Sequence, residues 1–208
     1  MSGLTAVDLF AGLGGFTEGA RRAGARVVWA ANHWRLAVDF HAANHAEVQH
    51  ACEDLHLTDW TKVPSVDLVL ASPACQGHSR ARGVERPHHD AARATAWAVV
   101  SAVEALRPRA FVVENVTEFL SWTLYPSWRS ALDALGYSVA ESLIDAADLS
   151  VPQHRKRVFV VGLRNRRLFM LPTPAKRHRP AREILDLDEG GADWVPVDAP
   201  DPRGGDRL

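Results

Sequence analysis

DLFAGLGG, residues Asp8–Gly15, joins an apolar run at Leu4–Phe10 to a segment with helical spacing at Gly15–Ala23. Glycine allows the backbone to turn tightly and to approach a ligand closely. In an open α/β sheet, ligands bind beyond the carboxyl ends of the strands. The stretch therefore predicts a strand, a turn and a helix, where the turn is either a ligand site or a plain connection. It is not a phosphate-binding P-loop, because no Gly-Lys-Ser or Gly-Lys-Thr follows.

The alternation of strand-like and helix-like segments continues to about residue 163. Short apolar runs predict further strands at Arg26–Ala31, Val66–Ala71, Ala110–Glu114, Tyr137–Leu143 and Arg157–Leu163. Helical spacing predicts helices at Trp34–Ala43, Ala91–Leu106 and Ser127–Leu135. Such alternation builds right-handed βαβ units. The predicted fold class is α/β, with a doubly wound, mostly parallel sheet.

Composition favours one globular domain. The chain has 208 residues, 47% of them apolar, and a formal net charge of −1. We expect the domain to span residues 1–170, whereas the Pro-broken residues 171–208 form an irregular tail. The segment from His154 to Arg182 inclusive contains ten Lys or Arg and no acid, which suits either phosphate contacts or a solvated face. Two cysteines, with no signal peptide and no membrane span in the sequence, favour the cytoplasm.

Three further segments place reactive side chains close to predicted strands. Cys75, in the stretch SPACQGHS, follows Val66–Ala71 and is either a nucleophile or an inert buried cysteine. Glu114 ends another strand and is either a proton donor or an ordinary loop acid. Arg155 and Arg157 share one face of an extended segment. Two guanidiniums on one face can bind a phosphate, a carboxylate or a base carbonyl. The alternative is that they belong to a basic edge strand at the surface.

The four segments, in this order over Ala6–Leu163, resemble the cytosine-5 DNA methyltransferase family. The resemblance implies the fold of methyltransferases that use S-adenosyl-L-methionine as cofactor and double-stranded DNA as substrate. It implies catalytic roles for Cys75, Glu114, Arg155 and Arg157. It also implies that the cofactor is bound by Phe10, Gly12, Leu13, Gly14, Gly15, His33, Trp34, Asp54, Leu55 and Pro73.

The implied chemistry is covalent. The target base is flipped out of the duplex. Cys75 thiolate adds to cytosine C6, Glu114 protonates or hydrogen-bonds N3 and the amino group, and Arg155 holds the base carbonyl. C5 then takes the methyl group, and loss of its proton expels Cys75.

The sequence departs from the family pattern in three respects. Ala74 stands where the family usually has proline before the nucleophile, and His33 stands where an acid usually binds the cofactor ribose. The family's target-recognition region and last motif have no counterpart, so we expect a second polypeptide to supply them and the chain alone to be inactive. Two alternatives stay open: a non-catalytic cofactor-binding remnant, and an RNA cytosine-5 methyltransferase.

One further pattern concerns metals. His41, His45, His50 and Cys52 have spacing that zinc could use, but no second tight pair completes the set, so we expect no metal site.

Overall fold

The computed structural model describes residues 3–73, 88–164, 169 and 178–185, with side chains in the second range described from residue 95. Within these ranges seven strands form one sheet in the order β3-β2-β1-β4-β5-β7-β6. Their bounds are β1 Thr5–Leu9, β2 Arg26–Asn32, β3 Gln49–Cys52, β4 Leu68–Ala71, β5 Ala110–Asn115, β6 Ser138–Asp145 and β7 Lys156–Leu163. The helices are α1 Gly15–Arg22, α2 Arg35–Asn44, α3 His88–Leu106 and α4 Tyr125–Ala134.

The direction of the strands places the predicted loops together. β1 to β5 pair in parallel, and β7 runs antiparallel between β5 and β6. The predicted α/β fold with a mostly parallel sheet is therefore confirmed. Because the carboxyl ends of β1 to β5 lie on one edge, the segments that follow them meet there.

One strand was not predicted, and two helices begin two or three residues earlier than predicted. β3 was not predicted, because its four residues QHAC contain no apolar run. α3 begins at His88 and α4 at Tyr125, in each case earlier than the apolar spacing indicates. The first turn of a helix needs no apolar periodicity and tolerates proline. Pro126 lies in the first turn of α4.

The core lies on both faces of the sheet, as alternation along β1 requires. Val7 and Leu9 join the larger cluster, which includes the fully buried Trp128 and Phe111 on the side of α3 and α4. Ala6 joins a smaller cluster on the side of α1. None of the helices within the described ranges is long and apolar enough to cross a membrane.

Gly162 is the tightest glycine position described in the sheet, and its substitution is expected to destabilise the fold. Gly162 in β7 pairs with Phe111 in β5, and a Cβ atom at Gly162 would overlap the Phe111 ring. Overpacking of this kind costs about 1–3 kcal/mol, and we expect Gly162→Ala to lie at the upper end because Phe111 is fully buried. Urea unfolding followed by circular dichroism measures the change.

Gly19 provides the matched control. It is exposed within α1, and a Cβ there would meet nothing within 4 Å. Gly19→Ala is expected to stabilise the chain by about 1 kcal/mol, since alanine favours helix more than glycine does. Equal unfolding midpoints for Gly162→Ala and the wild type would contradict the packing.

Candidate active site

The Gly-rich turn after β1 forms a backbone cradle. Phe10, Gly12 and Gly14 all adopt left-handed backbone angles, with φ of 59°, 55° and 96°. The turn is held by hydrogen bonds from Ala11 N to Ala31 O at 3.1 Å and from Gly14 N to Ala11 O at 3.0 Å. A side chain at Gly12 would point into open space, so the backbone is accessible to a ligand on that side. Leu13 and Gly15 in the same turn are exposed.

The segment after β2 lies beside this cradle, because Leu9 at the end of β1 pairs with Ala31 in β2. Asn32 Oδ1 accepts a hydrogen bond from Trp34 N at 2.9 Å in the turn that precedes α2. His33 is exposed, and Trp34 is 56% exposed. The arrangement leaves an aromatic surface free next to the turn.

The segments after β3 and β4 complete the same edge. Asp54 is exposed and accepts a hydrogen bond from His56 N at 3.0 Å, whereas the Leu55 side chain is buried in the larger core cluster. Pro73 is buried just after β4. Ala74 and Cys75 follow it and lie outside the described residues.

Glu114 and Arg157 form the charged pair of the site. Arg157 Nε lies 2.9 Å from Glu114 Oε1, and the two side chains are only 23% and 24% exposed. Arg157 reaches Glu114 because β7 is the antiparallel neighbour of β5. Arg157 Nη1 also donates to the Lys156 carbonyl at 2.8 Å. A guanidinium held at two points can fix the direction of a carboxylate.

The sequence predicted that Arg155 and Arg157 share one face of an extended segment. In the structure Arg155 lies outside the strand that carries Arg157. It precedes β7, its side chain is exposed, and its backbone N donates to Asp145 Oδ1 at 2.9 Å. The structure thus brings Arg157 to Glu114 and places Arg155 in the loop before the strand.

Asn115 lies next to Glu114 in the candidate site, and the sequence analysis gave it no role. It is 2% exposed, and its Nδ2 donates to the Pro73 carbonyl at 3.2 Å. Its Oδ1 accepts from Val116 N at 2.8 Å. The side chain therefore ties the end of β5 to the segment that leads to Cys75. The signal available in the sequence was an asparagine directly after the acid at the end of a predicted strand.

The histidines considered for zinc have another arrangement. His41 Nδ1 and His50 Nε2 lie 2.8 Å apart, which is a hydrogen bond. Cys52 is exposed and contacts the His33 carbonyl at 3.7 Å. Among the residues that the structure describes, no group of three or more His, Cys, Asp or Glu side chains is arranged to hold a metal ion.

Similar proteins are methyltransferases. A sequence model of the C-5 cytosine-specific DNA methylase family matches residues 4–190. The type II methyltransferase M.AgeI of Thalassovita gelatinovora is 32% identical over 180 residues, which are 81% of this chain and 42% of that protein. The type II methyltransferase M.NgoBI of Neisseria gonorrhoeae is 28% identical over 185 residues, 88% of this chain and 57% of that protein. The chain thus spans about half the length of these relatives.

Solved structures agree with this relationship. A prophage-encoded protein of E. coli, described as a DNA modification methyltransferase, is 26% identical with a TM-score of 0.66, over 77% of this chain and 46% of that one. A Spodoptera frugiperda DNMT2 variant has a TM-score of 0.74 over 89% of this chain and 60% of that one, and its 19% identity shows the fold alone. Since the family match covers most of the sequence and the fold agrees, the chain belongs to the C-5 cytosine-specific DNA methylase family.

Proposed function

We propose that this chain is the catalytic part of a DNA cytosine-5 methyltransferase that uses S-adenosyl-L-methionine. The observation that supports it most directly is the Arg157–Glu114 pair, which lies at the end of β5 on the edge that carries the Gly-rich turn. A carboxylate oriented by a guanidinium suits recognition of a base edge that presents a ring nitrogen and an amino group. We assign residues 1–170 to the catalytic domain and residues 171–208 to a tail that leads toward target recognition.

The residues present fit the cofactor. The left-handed glycines at Gly12 and Gly14 form a cradle that leaves open space above Gly12. Trp34 offers an exposed ring on which an adenine can stack, and the exposed ring of His33 can hydrogen-bond a ribose hydroxyl. The complete set assigned to the cofactor is Phe10, Gly12, Leu13, Gly14, Gly15, His33, Trp34, Asp54, Leu55 and Pro73. When bound, the cofactor supplies an electrophilic methyl group on a sulfonium.

The catalytic residues then act on the flipped cytosine. Cys75 thiolate forms a bond to C6, and the displaced electron pair moves toward N3, where Glu114 holds or donates a proton. Arg157 keeps the Glu114 carboxylate in place, and we assign the exposed Arg155, just before β7, to the base carbonyl. After C5 gains the methyl group, a water molecule takes the C5 proton, the electrons of that bond expel Cys75 as a thiolate, and N3 returns its proton to Glu114.

An exposed apolar face supports a protein partner. Leu36 and Phe40 lie one turn apart on α2 and are 49% and 52% exposed. Asn44 on the same helix donates to the carbonyl of Leu13, which places the exposed Leu13 beside the end of α2. Clustered exposed apolar side chains mark interaction sites. We propose that a second polypeptide, which carries the target-recognition region, docks here.

Methyl transfer from labelled cofactor tests the function. The purified chain is incubated with double-stranded DNA, alone and with the polypeptide encoded immediately downstream, and a parallel reaction contains transfer RNA. We expect label in DNA only when both polypeptides are present, because base-edge contacts must supply the free energy of flipping.

Each other result decides against part of the proposal. Transfer by the chain alone would remove the need for a partner. Label in transfer RNA alone would change the substrate class. No transfer in any reaction would favour the non-catalytic remnant.

A further inference from the structure

A row of hydrogen-bonded polar side chains lies buried beneath the Gly-rich turn. The Asp8 carboxylate in β1 is 0% exposed, and its Oδ2 accepts a hydrogen bond from Thr17 Oγ1 in α1 at 2.7 Å. The same hydroxyl lies 3.1 Å from His41 Nε2 in α2. His41 Nδ1 lies 2.8 Å from His50 Nε2 in β3. The row therefore joins β1, α1, α2 and β3 through side chains that the proposed methyl-transfer steps do not use.

The row is placed directly under the proposed cofactor cradle. Asp8 stands two residues before Phe10, and Thr17 stands two residues after Gly15. A Cβ atom at Gly14 would lie 2.7 Å from the His45 ring and 3.2 Å from that of His41, so the turn rests on these histidines. A ligand on the cradle would lie within roughly 10 Å of the Asp8 carboxylate, given about 3.3 Å per strand residue.

Asp8 is not fully satisfied in this setting. Its second carboxylate oxygen, Oδ1, is buried and has no hydrogen-bond partner. Burial raises the pKa of Asp8 to about 7, although the Thr17 hydrogen bonds oppose the rise. A buried carboxylate with one unpaired oxygen gains from a positive charge placed nearby.

The histidines of the row are neutral near physiological pH. Burial, together with His50 and His45, lowers the pKa of His41 to about 4, and burial also lowers the pKa of His50. A neutral imidazole has one N–H and one acceptor nitrogen. When Asp8 is ionised, Thr17 can donate a hydrogen bond to its carboxylate, and the imidazoles donate along the row toward Thr17. When Asp8 is protonated, both imidazoles can adopt the other tautomer, so that every hydrogen bond in the row reverses and Thr17 accepts from Asp8. His50, which is half-buried, is the end closest to solvent.

We propose that Asp8 is a specificity-determining residue of the cofactor site, whose ionised carboxylate favours the cationic sulfonium cofactor over its neutral thioether product. The inference rests on the proposed use of S-adenosyl-L-methionine. At a separation of about 10 Å and an effective dielectric constant of about 20, a buried charge should change the preference about five- to tenfold after some screening. Besides Asp8, the titratable groups of the row are His41 and His50; His45 and Glu47 lie next to the row, and His33 lies at the rim of the cradle.

The test compares the two ligands by calorimetry at pH 5.5 and pH 8.0. Both ligands carry the same amino acid and nucleoside groups, so their own titration largely cancels in the ratio of their dissociation constants. Asp8 is protonated at the lower pH and mostly ionised at the higher one, because its pKa is raised to about 7. We expect the preference for S-adenosyl-L-methionine over S-adenosylhomocysteine to rise about fivefold from pH 5.5 to pH 8.0.

Three variants separate Asp8 from its surroundings. Asp8→Asn should remove the pH dependence of the ratio, whereas a merely structural role would weaken both ligands equally at both pH values. Trp34→Ala should weaken both ligands and leave the dependence intact. His33→Gln should also retain the pH dependence of the ratio. Because His33 is exposed, this variant should fold, and it tests whether His33 causes the dependence even if Asp8→Asn does not fold.

Three outcomes would overturn the inference. A wild-type ratio that is the same at both pH values contradicts it directly. Loss of the dependence in His33→Gln would assign the effect to His33. Failure of both ligands to bind at either pH would refute the proposed cofactor. That result differs from binding of both ligands with a ratio of dissociation constants that does not change with pH.

Discussion

Replacing Cys75 with serine is expected to abolish covalent capture of the chain by DNA that contains 5-fluorocytosine. The attack on C6 needs a thiolate, and a thiol ionises near pH about 8.5, whereas a serine hydroxyl stays protonated in this range. Fluorine at C5 leaves no proton to remove after methyl transfer, so the bond between sulfur and C6 cannot break and the adduct accumulates. The measurement is a gel shift that survives denaturation, with cofactor and the downstream polypeptide present.

Cys52 provides the matched control for this experiment. It is the other cysteine of the sequence, it lies exposed at the end of β3, and the proposed mechanism assigns it no role. Cys52→Ser should retain capture at the wild-type level. Capture that persists in Cys75→Ser, or that disappears in Cys52→Ser alone, would remove Cys75 from the role of nucleophile.

Glu114→Gln is expected to slow methyl transfer by about 10²–10⁴-fold under single-turnover conditions, the usual range for a positioned acid or base. Glutamine keeps the volume of the side chain but cannot supply a proton to N3. It also leaves the Arg157 guanidinium, only 23% exposed, without the carboxylate 2.9 Å from its Nε. Rapid-quench measurement of labelled DNA gives the rate.

Two further variants sharpen this result. Arg157→Lys keeps the positive charge but loses the planar, two-point hold, so we expect a smaller loss of about tenfold if its role is to orient Glu114. Glu104→Gln removes an exposed acid from α3 and should leave the rate unchanged. A Glu114→Gln rate within twofold of the wild type would exclude Glu114 from proton transfer.

Local patterns in the sequence were sufficient to predict most elements of the sheet. β1 and the Gly-rich turn follow from an apolar run that ends in glycines, and Glu114 was placed at the end of a strand for the same reason. The strand that was not predicted lacks such a local pattern. β3 has four residues and no apolar run, so its pairing with β2 was not predictable from periodicity.

The sequence by itself therefore determined the fold class, the family and the side chains at the ends of the strands, because backbone periodicity and turn chemistry are properties of neighbouring residues. Only the tertiary structure decided which of those side chains meet. Glu114 pairs with Arg157 because β7 inserts antiparallel between β5 and β6, and Asp8 reaches His41 through Thr17 because α1 and α2 cover the same face. Strand order and helix placement depend on how separated segments bury their apolar faces together, and no local spacing encodes that choice.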